Sequence, residues 1–141
     1  MKDQKPKKKR VDGQVTGLAG EFFVAGELLK RNLQTSITFG NAKAIDIFAY
    51  SESSDITYTV QVKALRSKNF FPISRSAIKH NHIYVFVILN KPDVAVDYFI
   101  IQGETLANGE SELSKYLDDP KFPGVNWRSL EPFRNNRQVF K

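Results

Sequence analysis

The fold is decided by residues 44–64, AIDIFAYSESSDITYTVQVKA, in which two apolar-rich runs flank a polar segment. The runs at 44–50 and 58–64 alternate apolar and polar residues, the pattern typical of a β-strand with one buried face. The Ser- and Asp-containing segment 51–55 between them has the composition of a turn. This stretch therefore predicts a β-hairpin.

A regular hairpin brings Asp46 and Gln61 together. If Tyr50 pairs with Thr57, Asp46 lies opposite Gln61, and directly opposed residues project from the same face of the sheet. Alternation puts Asp46, Gln61 and Lys63 on one face. The apolar side chains of the opposite face are expected to be buried: Ile45, Ile47, Val60 and Val62. Lys63 pairing with Asp46 on a solvated surface explains the same pattern, so the hairpin alone leaves both interpretations open.

A helix is predicted from Thr16, a suitable N-cap, to about residue 31. Its apolar residues recur at helical spacing and define one stripe, formed by Leu18, Phe22, Ala25 and Leu29. At about 100° per residue, Glu21 lies at the edge of this stripe and is expected to face the protein interior. A buried carboxylate is costly unless it is paired or binds a cation, which makes Glu21 a candidate for the same site as Asp46.

The rest of the chain predicts an α/β domain. Besides the hairpin, the pattern predicts three strands, at 35–39, 82–89 and 98–101. It also predicts a helix at 74–81 and a helical segment at 104–117 with a break near Gly109. The proline-containing segment 120–141 is expected to be irregular. The order α-β-β-β-α-β-β-α predicts a mixed central sheet with helices on both faces.

Length and composition favour one soluble domain. The 141 residues, 41% hydrophobic and 26% charged, suffice to bury a core without disulfides or structural metal. We divide the chain into a basic, disordered tail at 1–13, a domain at 14–119 and an irregular segment at 120–141 that packs on the domain. No cysteine is present, which excludes thiol catalysis. Without a secretory signal or a run of the roughly 20 apolar residues that span a bilayer, the protein is expected in the cytoplasm and not in a membrane.

The positive charge is concentrated at the N-terminus. Six of the 21 Lys and Arg residues lie within residues 1–10, whose single acid is Asp3, so this segment carries +5 of the net charge of +6. A flexible basic segment adds salt-dependent, sequence-independent affinity for nucleic acid. Basic runs are also common as solvated tails, so the segment alone does not identify a partner.

The residues assembled so far resemble the PD-(D/E)xK nuclease superfamily, which has the restriction-endonuclease-like fold. The resemblance spans residues 14–101 and rests on three segments: GLAGEFFVA at 17–25, GNAKAID at 40–46 and VQVK at 60–63. It implies an αβββαβ core like that of small stand-alone bacterial members. It also implies hydrolysis of phosphodiester bonds in DNA with Mg²⁺, for which Mn²⁺ is an alternative.

The resemblance implies a role for each site residue. Asp46 is the principal metal ligand, and Glu21 is the carboxylate of the first helix. Gln61 and Lys63 take the place of the (D/E)xK element, in which the lysine orients or helps to deprotonate the attacking water. The Val62 carbonyl is a further metal ligand.

Two positions depart from the family pattern. Ile45 stands where the namesake motif has proline, and Gln61 stands where it has a carboxylate. Gln61 still offers an amide oxygen, but the metal site loses a negative charge. The leading prediction is a Mg²⁺-dependent DNA endonuclease, for which a homodimer would supply the two sites that duplex cleavage needs. The alternative is a catalytically weak or inactive module that binds nucleic acid, RNA included, or a protein partner.

Basic residues around the hairpin are candidates for contacts with the DNA backbone: Lys43, Arg66, Lys68, Arg75 and Lys79. An ordinary solvated surface explains them equally well. His80 and His82 have a spacing that can bind metal on a strand, but the sequence offers them no nearby carboxylate. Both histidines are therefore expected to be structural or exposed, and peripheral to the site.

Overall fold

A computed structural model describes residues 13–40, 45–109 and 112–141. The helices are α1 (Gly13–Lys30) and α2 (Gly103–Asn108), and the strands are β1 (Gln34–Ile37), β2 (Ile47–Ser51), β3 (Ile56–Leu65), β4 (Phe70–Pro72), β5 (Ile83–Ile88), β6 (Asp97–Gln102) and β7 (Gly124–Asn126). Short 3-10 helices occupy Arg75–Ala77, Trp127–Phe133 and Arg137–Val139. The predicted basic tail, apart from Gly13, and Lys43 lie outside the described residues.

A mixed sheet of five strands, in the order β1-β2-β3-β5-β6, forms the centre of the fold. β3 and β5 run parallel, and the other neighbouring pairs of this sheet are antiparallel. All six residues of β5 are buried, as expected of a strand covered on both faces. β4 and β7 pair separately as a second, two-stranded sheet. The predicted α/β fold with a mixed central sheet flanked by helices is confirmed.

The predicted hairpin and its register are also confirmed. Tyr50 pairs with Thr57, and Ile47 pairs with Val60 as the last pair of the β2–β3 ladder. Ile47 and Val60 are completely buried. Asp46 therefore lies just beyond the end of β2, at the position that a longer ladder would place opposite Gln61.

Apolar cores lie on both faces of the central sheet. The core beneath α1 contains residues from that helix and from four strands, among them Val24, Leu28, Ile47, Val60 and Val85. The core on the other face is enclosed by α2, the small sheet and the C-terminal residues, and it contains Phe71, Phe86, Phe99, Leu106 and Leu130. Burial on both faces makes the central strands, rather than the helices, the most enclosed part of the chain.

The predicted apolar stripe of α1 is wrong at three of its four positions, although Ala25 is buried and the inward orientation of Glu21 is confirmed. Leu18, Phe22 and Leu29 are 40–55% exposed, whereas Glu21 is only 6% exposed. The reason is Gly20: a Cβ atom there would lie 2.6 Å from the Cβ atom of Ala64 in β3. The helix faces the sheet with Gly20, Val24 and Leu28, so Leu18, Phe22 and Leu29 lie toward the surface.

The N-terminus of α1 also differs from the prediction. The helix begins at Gly13, so Thr16 lies inside it and is buried. The Thr16 hydroxyl accepts a hydrogen bond of 3.0 Å from Nε of Arg66 at the end of β3. Thr16 thus ties the helix to the residue after β3 instead of capping the helix.

The two later helical segments are shorter than predicted. The helix expected at 74–81 is reduced to the 3-10 turn Arg75–Ala77. α2 ends at Asn108, next to the break predicted near Gly109, but the residues from 112 to 118 form turns and not a helix. The backbone amide of Lys79 donates to the hydroxyl of Tyr84 at 2.8 Å, so a side chain from β5 binds the segment where a longer helix would have continued. The segment 120–141, predicted to be irregular, contains β7 and two 3-10 helices. None of the helices in the described part of the chain combines the length and apolarity needed to cross a bilayer.

Candidate functional site

The candidate site lies where β2 and β3 stop pairing. We call this region the fork and define it as Asp46 with residues 61–63. The Asp46 carboxylate accepts a hydrogen bond from the backbone amide of Val62, with Oδ2 2.8 Å from the nitrogen. A continued ladder would use a backbone carbonyl of the neighbouring strand at this point. Because the N–H and C=O of a strand residue point toward the same neighbour, the Val62 carbonyl faces the edge occupied by Asp46.

Thr38, the first residue after β1, forms hydrogen bonds with the backbone at Asp46. Its amide donates to the carbonyl of Asp46 at 2.9 Å. Its hydroxyl lies within hydrogen-bonding distance of the carbonyls of Ile45 and Asp46. The backbone that carries the Asp46 carboxylate is therefore anchored to β1, while the carboxylate itself reaches β3.

A cleft of about 400 Å³ opens beside the fork. Its lining includes Glu21 from α1, Phe39 and Gly40 after β1, and Asp46 and Val62 at the fork. Two carboxylates and the edge of a strand thus share one cleft. Of the residues predicted to form the site, the structure brings Glu21, Asp46 and Val62 together here.

Gln61 and Lys63 project from the opposite face of β3. In the parallel ladder, Gln61 pairs with Tyr84 and Lys63 pairs with Phe86, and both aromatic partners belong to the core on the face away from α1. Val62 instead faces Gly20 of α1. Glu21 therefore approaches the fork from one face of the sheet, and Gln61 and Lys63 approach it from the other.

The charge of Asp46 also acts on the face that carries Gln61. Burial raises the pKa of Tyr84, the Lys79 amide that donates to its hydroxyl opposes this change, and the charge of Asp46 adds to the increase. Tyr84 is 2% exposed. Tyr84 is the ladder partner of Gln61. The charge of Asp46 therefore influences a side chain on the face of the sheet that carries Gln61.

His82, which the sequence led us to treat as peripheral to the site, contacts Gln61. Nε2 of Gln61 lies 3.2 Å from Nδ1 of His82. Burial lowers the pKa of His82, and the charge of Lys79 lowers it further. Only the parallel pairing of β3 with β5, which joins segments more than 20 residues apart, brings the two side chains together; the sequence contains no local signal for this contact. His80, two residues earlier, is exposed.

The oxygen atoms at the fork suit a hard divalent cation. The carboxylates of Asp46 and Glu21, the Val62 carbonyl and the amide oxygen of Gln61 are ligand types that Mg²⁺ accepts alongside water. Within the described residues there is no cluster of three or more His, Cys, Asp or Glu side chains that could hold a metal ion. A cation here would therefore depend on two carboxylates, neutral oxygens and water, a donor set that suits Mg²⁺ and lacks the nitrogen and sulfur ligands typical of zinc.

The predicted DNA-contacting residues have different surroundings. Arg66 and Lys68 line an open groove of about 410 Å³ after β3, and Nζ of Lys68 lies 4.9 Å from the centroid of the Trp127 ring. Arg75 forms an ion pair with Asp118 at 3.0 Å, so an incoming phosphate would compete with that carboxylate. Lys79 is exposed.

Similarity to known proteins is limited to the fold. No protein-family model and no curated protein sequence matches the chain. The structure is similar to that of I-Ssp6803I, described as a bacterial homing endonuclease, with a TM-score of 0.61 over 92% of this chain and 91% of that chain. The sequence identity is 11%. The chain therefore has a nuclease-like fold.

Proposed function

We propose that this protein is a metal-dependent endonuclease that hydrolyses phosphodiester bonds in DNA by PD-(D/E)xK chemistry. The fork carries the proposal, because the Val62 amide orients the Asp46 carboxylate beside a cleft that also contains the buried Glu21. The fold it shares with a protein described as a homing endonuclease supports DNA as the substrate. Mg²⁺ is the proposed cofactor, and Mn²⁺ is the natural substitute in assays.

Each residue of the fork, and Glu21 in the adjoining cleft, would have its own role. Asp46, Glu21 and Gln61, with the Val62 carbonyl, would hold the cation. A divalent cation supplies stabilisation of the charge on the phosphoryl oxygens and a more acidic bound water. Lys63 projects from the same face as Gln61, where its ammonium would hydrogen-bond the attacking water and offset the charge of the phosphoryl group.

DNA would extend from the cleft over the neighbouring basic residues. Lys43 belongs to the segment between Gly40 and the fork, and Arg66, Lys68 and Lys79 follow β3. Arg75 would join them only by exchanging its ion pair with Asp118 for a phosphate. Such contacts position the duplex and carry no sequence information. We further propose a homodimer, because one site per chain cuts one strand, and a location in the cytoplasm.

Gln61 favours a second candidate, a module that binds DNA or a protein partner without cutting. An amide replaces a carboxylate in the (D/E)xK element, so the site has one negative charge fewer with which to attract a cation. Binding without turnover distinguishes this candidate from the endonuclease.

Cleavage of a randomised duplex library in Mg²⁺ or Mn²⁺, followed by sequencing of new ends, tests the proposal and requires no known target sequence. The expected result is metal-dependent ends that disappear with EDTA and in the Asp46→Asn and Lys63→Ala variants. Asp93→Asn is the matched control, since Asp93 is exposed in the turn between β5 and β6. Full cleavage by Asp46→Asn would contradict the endonuclease, and DNA binding without new ends would favour the module.

A further inference from the structure

The orientation of the Gln61 amide decides whether Gln61 can bind a cation. A side-chain amide has one oxygen that can act as a ligand and an NH₂ group that can only donate hydrogen bonds. A carboxylate in the same position would offer two equivalent oxygens and would need no selection between them. The replacement of carboxylate by glutamine therefore creates a requirement that the usual motif does not have.

The contact with His82 selects the orientation of the Gln61 amide. Nε2 of Gln61 lies 3.2 Å from Nδ1 of His82. With the Gln61 nitrogen facing the ring, the amide donates and Nδ1 accepts, which places the ring proton on Nε2 of the histidine.

The order of strands places His82 and the fork on different sides of β3. β2 and β5 lie on opposite sides of β3 in the sheet. His82 directly precedes β5, and Asp46 directly precedes β2. The oxygen and the NH₂ group of an amide point in different directions, so an NH₂ group that donates to His82 leaves the oxygen directed away from that histidine. The fork lies on the other side of β3, where the Asp46 carboxylate accepts from the Val62 amide.

The backbone of His82 is held firmly enough to serve this purpose. Its amide donates to the carbonyl of Lys79 at 3.2 Å, and its carbonyl accepts from the amide of Gly103 at 2.7 Å. A Cβ atom on Gly103 would lie 2.0 Å from the Lys79 oxygen and 2.9 Å from the His82 oxygen. Glycine at the start of α2 thus permits the close approach that clamps the backbone before β5.

We propose that His82 is a positioning residue for cation binding: by accepting the Gln61 NH₂ group on Nδ1, it holds the Gln61 amide oxygen toward the fork. This inference rests on the proposed metal-dependent function. It assigns His82 a role through Gln61, with no contact between the histidine and the metal or substrate. It also explains how glutamine can serve in the (D/E)xK element.

A double-mutant cycle on the full chain tests the inference through Mn²⁺ affinity, measured by titration calorimetry without DNA. His82→Phe keeps a ring but removes the acceptor, and it should weaken Mn²⁺ binding roughly tenfold, a loss typical of partners that orient metal ligands. In the Gln61→Glu background the same change should not weaken binding, because either carboxylate oxygen can face the cation. His80→Phe is the matched control and should bind like the wild type. Thermal unfolding checks that each variant is folded.

Either of two results from the Mn²⁺ titrations would overturn the inference while the endonuclease stands. One is wild-type Mn²⁺ affinity in folded His82→Phe when Asp46→Asn has lost binding. The other is equal weakening by His82→Phe in the Gln61 and Gln61→Glu backgrounds, which indicates a general structural role. Long-range ¹H–¹⁵N correlation spectra of the histidine rings give a readout without metal: a proton on Nδ1 of His82 at neutral pH overturns the inference. If the wild type neither binds Mn²⁺ nor cleaves DNA, the proposed function and this inference fail together.

Discussion

The central sheet carries a partly buried carboxylate in each of two regions, and the surroundings of the two carboxylates differ. Asp97 begins β6 and accepts a hydrogen bond of 3.0 Å from Asn90 while forming an ion pair with Arg134. Arg134 also pairs with Glu131 at 2.9 Å. We call these four residues the Asp97 network. At the fork, Asp46 accepts a backbone amide and shares a cleft with a second carboxylate.

The difference separates a structural use of charge from one that we propose to be functional. Burial alone would raise the pKa of Asp97, but the hydrogen bonds from Asn90 and Arg134 and the charge of Arg134 lower it below its ordinary value. Each charge of the network has a partner of opposite sign or a polar donor, and the pairs join the C-terminal segment to the sheet. The cleft beside the fork instead contains two negative groups, Asp46 and Glu21, an arrangement that favours a cation.

The largest expected difference is between Asp46→Asn and Asp97→Asn. Asp46→Asn should reduce metal-dependent cleavage by at least roughly 100-fold, since even partners that only orient metal ligands contribute up to that amount. The asparagine oxygen can still accept the Val62 amide, so the fold should persist. Asp97→Asn should leave the cleavage rate within about twofold. Initial cleavage rates and circular dichroism of both variants check this contrast, and the opposite ranking would refute it.

Removal of the Arg134 guanidinium from the Asp97 network should reduce stability without affecting the fork. Arg134→Met leaves the partly buried Asp97 carboxylate without its ion pair, and we expect the free energy of unfolding to fall by about 2 kcal/mol, less than for a fully buried pair because both side chains reach solvent. Urea denaturation measures the change. Arg128→Met, at an exposed position, is the control, with an expected change within about 0.5 kcal/mol. Equal losses in both variants would mean that the network contributes no specific stability.

Gly20→Ala and Gly17→Ala test how closely α1 approaches the fork. A Cβ atom on Gly20 would lie 2.6 Å from the Cβ atom of Ala64, so the helix must move and we expect a loss of about 1.5 kcal/mol. Nothing lies within 4 Å of a Cβ atom on Gly17, so alanine there should stabilise the helix by about 0.5 kcal/mol. Thermal unfolding compares the two variants. Stabilisation by Gly20→Ala would disprove the close helix–sheet contact that orients Glu21.

The smallest expected effect is a dependence of stability on acid pH that belongs to the Asp97 network. Because the pKa of Asp97 is lower in the folded protein than its ordinary value of 3.8, the unfolded chain takes up the proton first as the pH falls. The contribution of Asp97 is therefore complete well above pH 3.8 and is lost as the pH falls through the folded pKa.

Arg134→Met should flatten this acid dependence, measured by urea denaturation between about pH 6 and pH 2.5. The pKa of Asp119 is lowered by the backbone amides of Phe122 and Lys121, so its share of the acid dependence should remain in the variant. An unchanged profile in Arg134→Met would show that the guanidinium does not control the protonation of Asp97.

Local patterns in the sequence predicted the parts of the site that depend on neighbouring residues. Alternation and the polar turn were sufficient for the register of β2 and β3. The inward orientation of Glu21 was predicted from a stripe in which Leu18, Phe22 and Leu29 prove to be exposed, because residue spacing does not report how closely a glycine lets a helix approach a sheet. The roles of Glu21, Asp46, Gln61 and Lys63 stay predictions until activity is measured.

The sequence by itself determined the hairpin, the α/β class and the proximity of Asp46 to residues 61–63, because each depends on interactions between residues close together in the chain. Only the tertiary structure decided that α1 packs through Gly20, that Gln61 and Lys63 approach the fork from the face opposite Glu21, and that His82 contacts Gln61. These features depend on the parallel pairing of β3 with β5 and on the packing of α1 against β3. Such long-range contacts are selected by the summed packing of whole elements, and no short segment of the sequence encodes them.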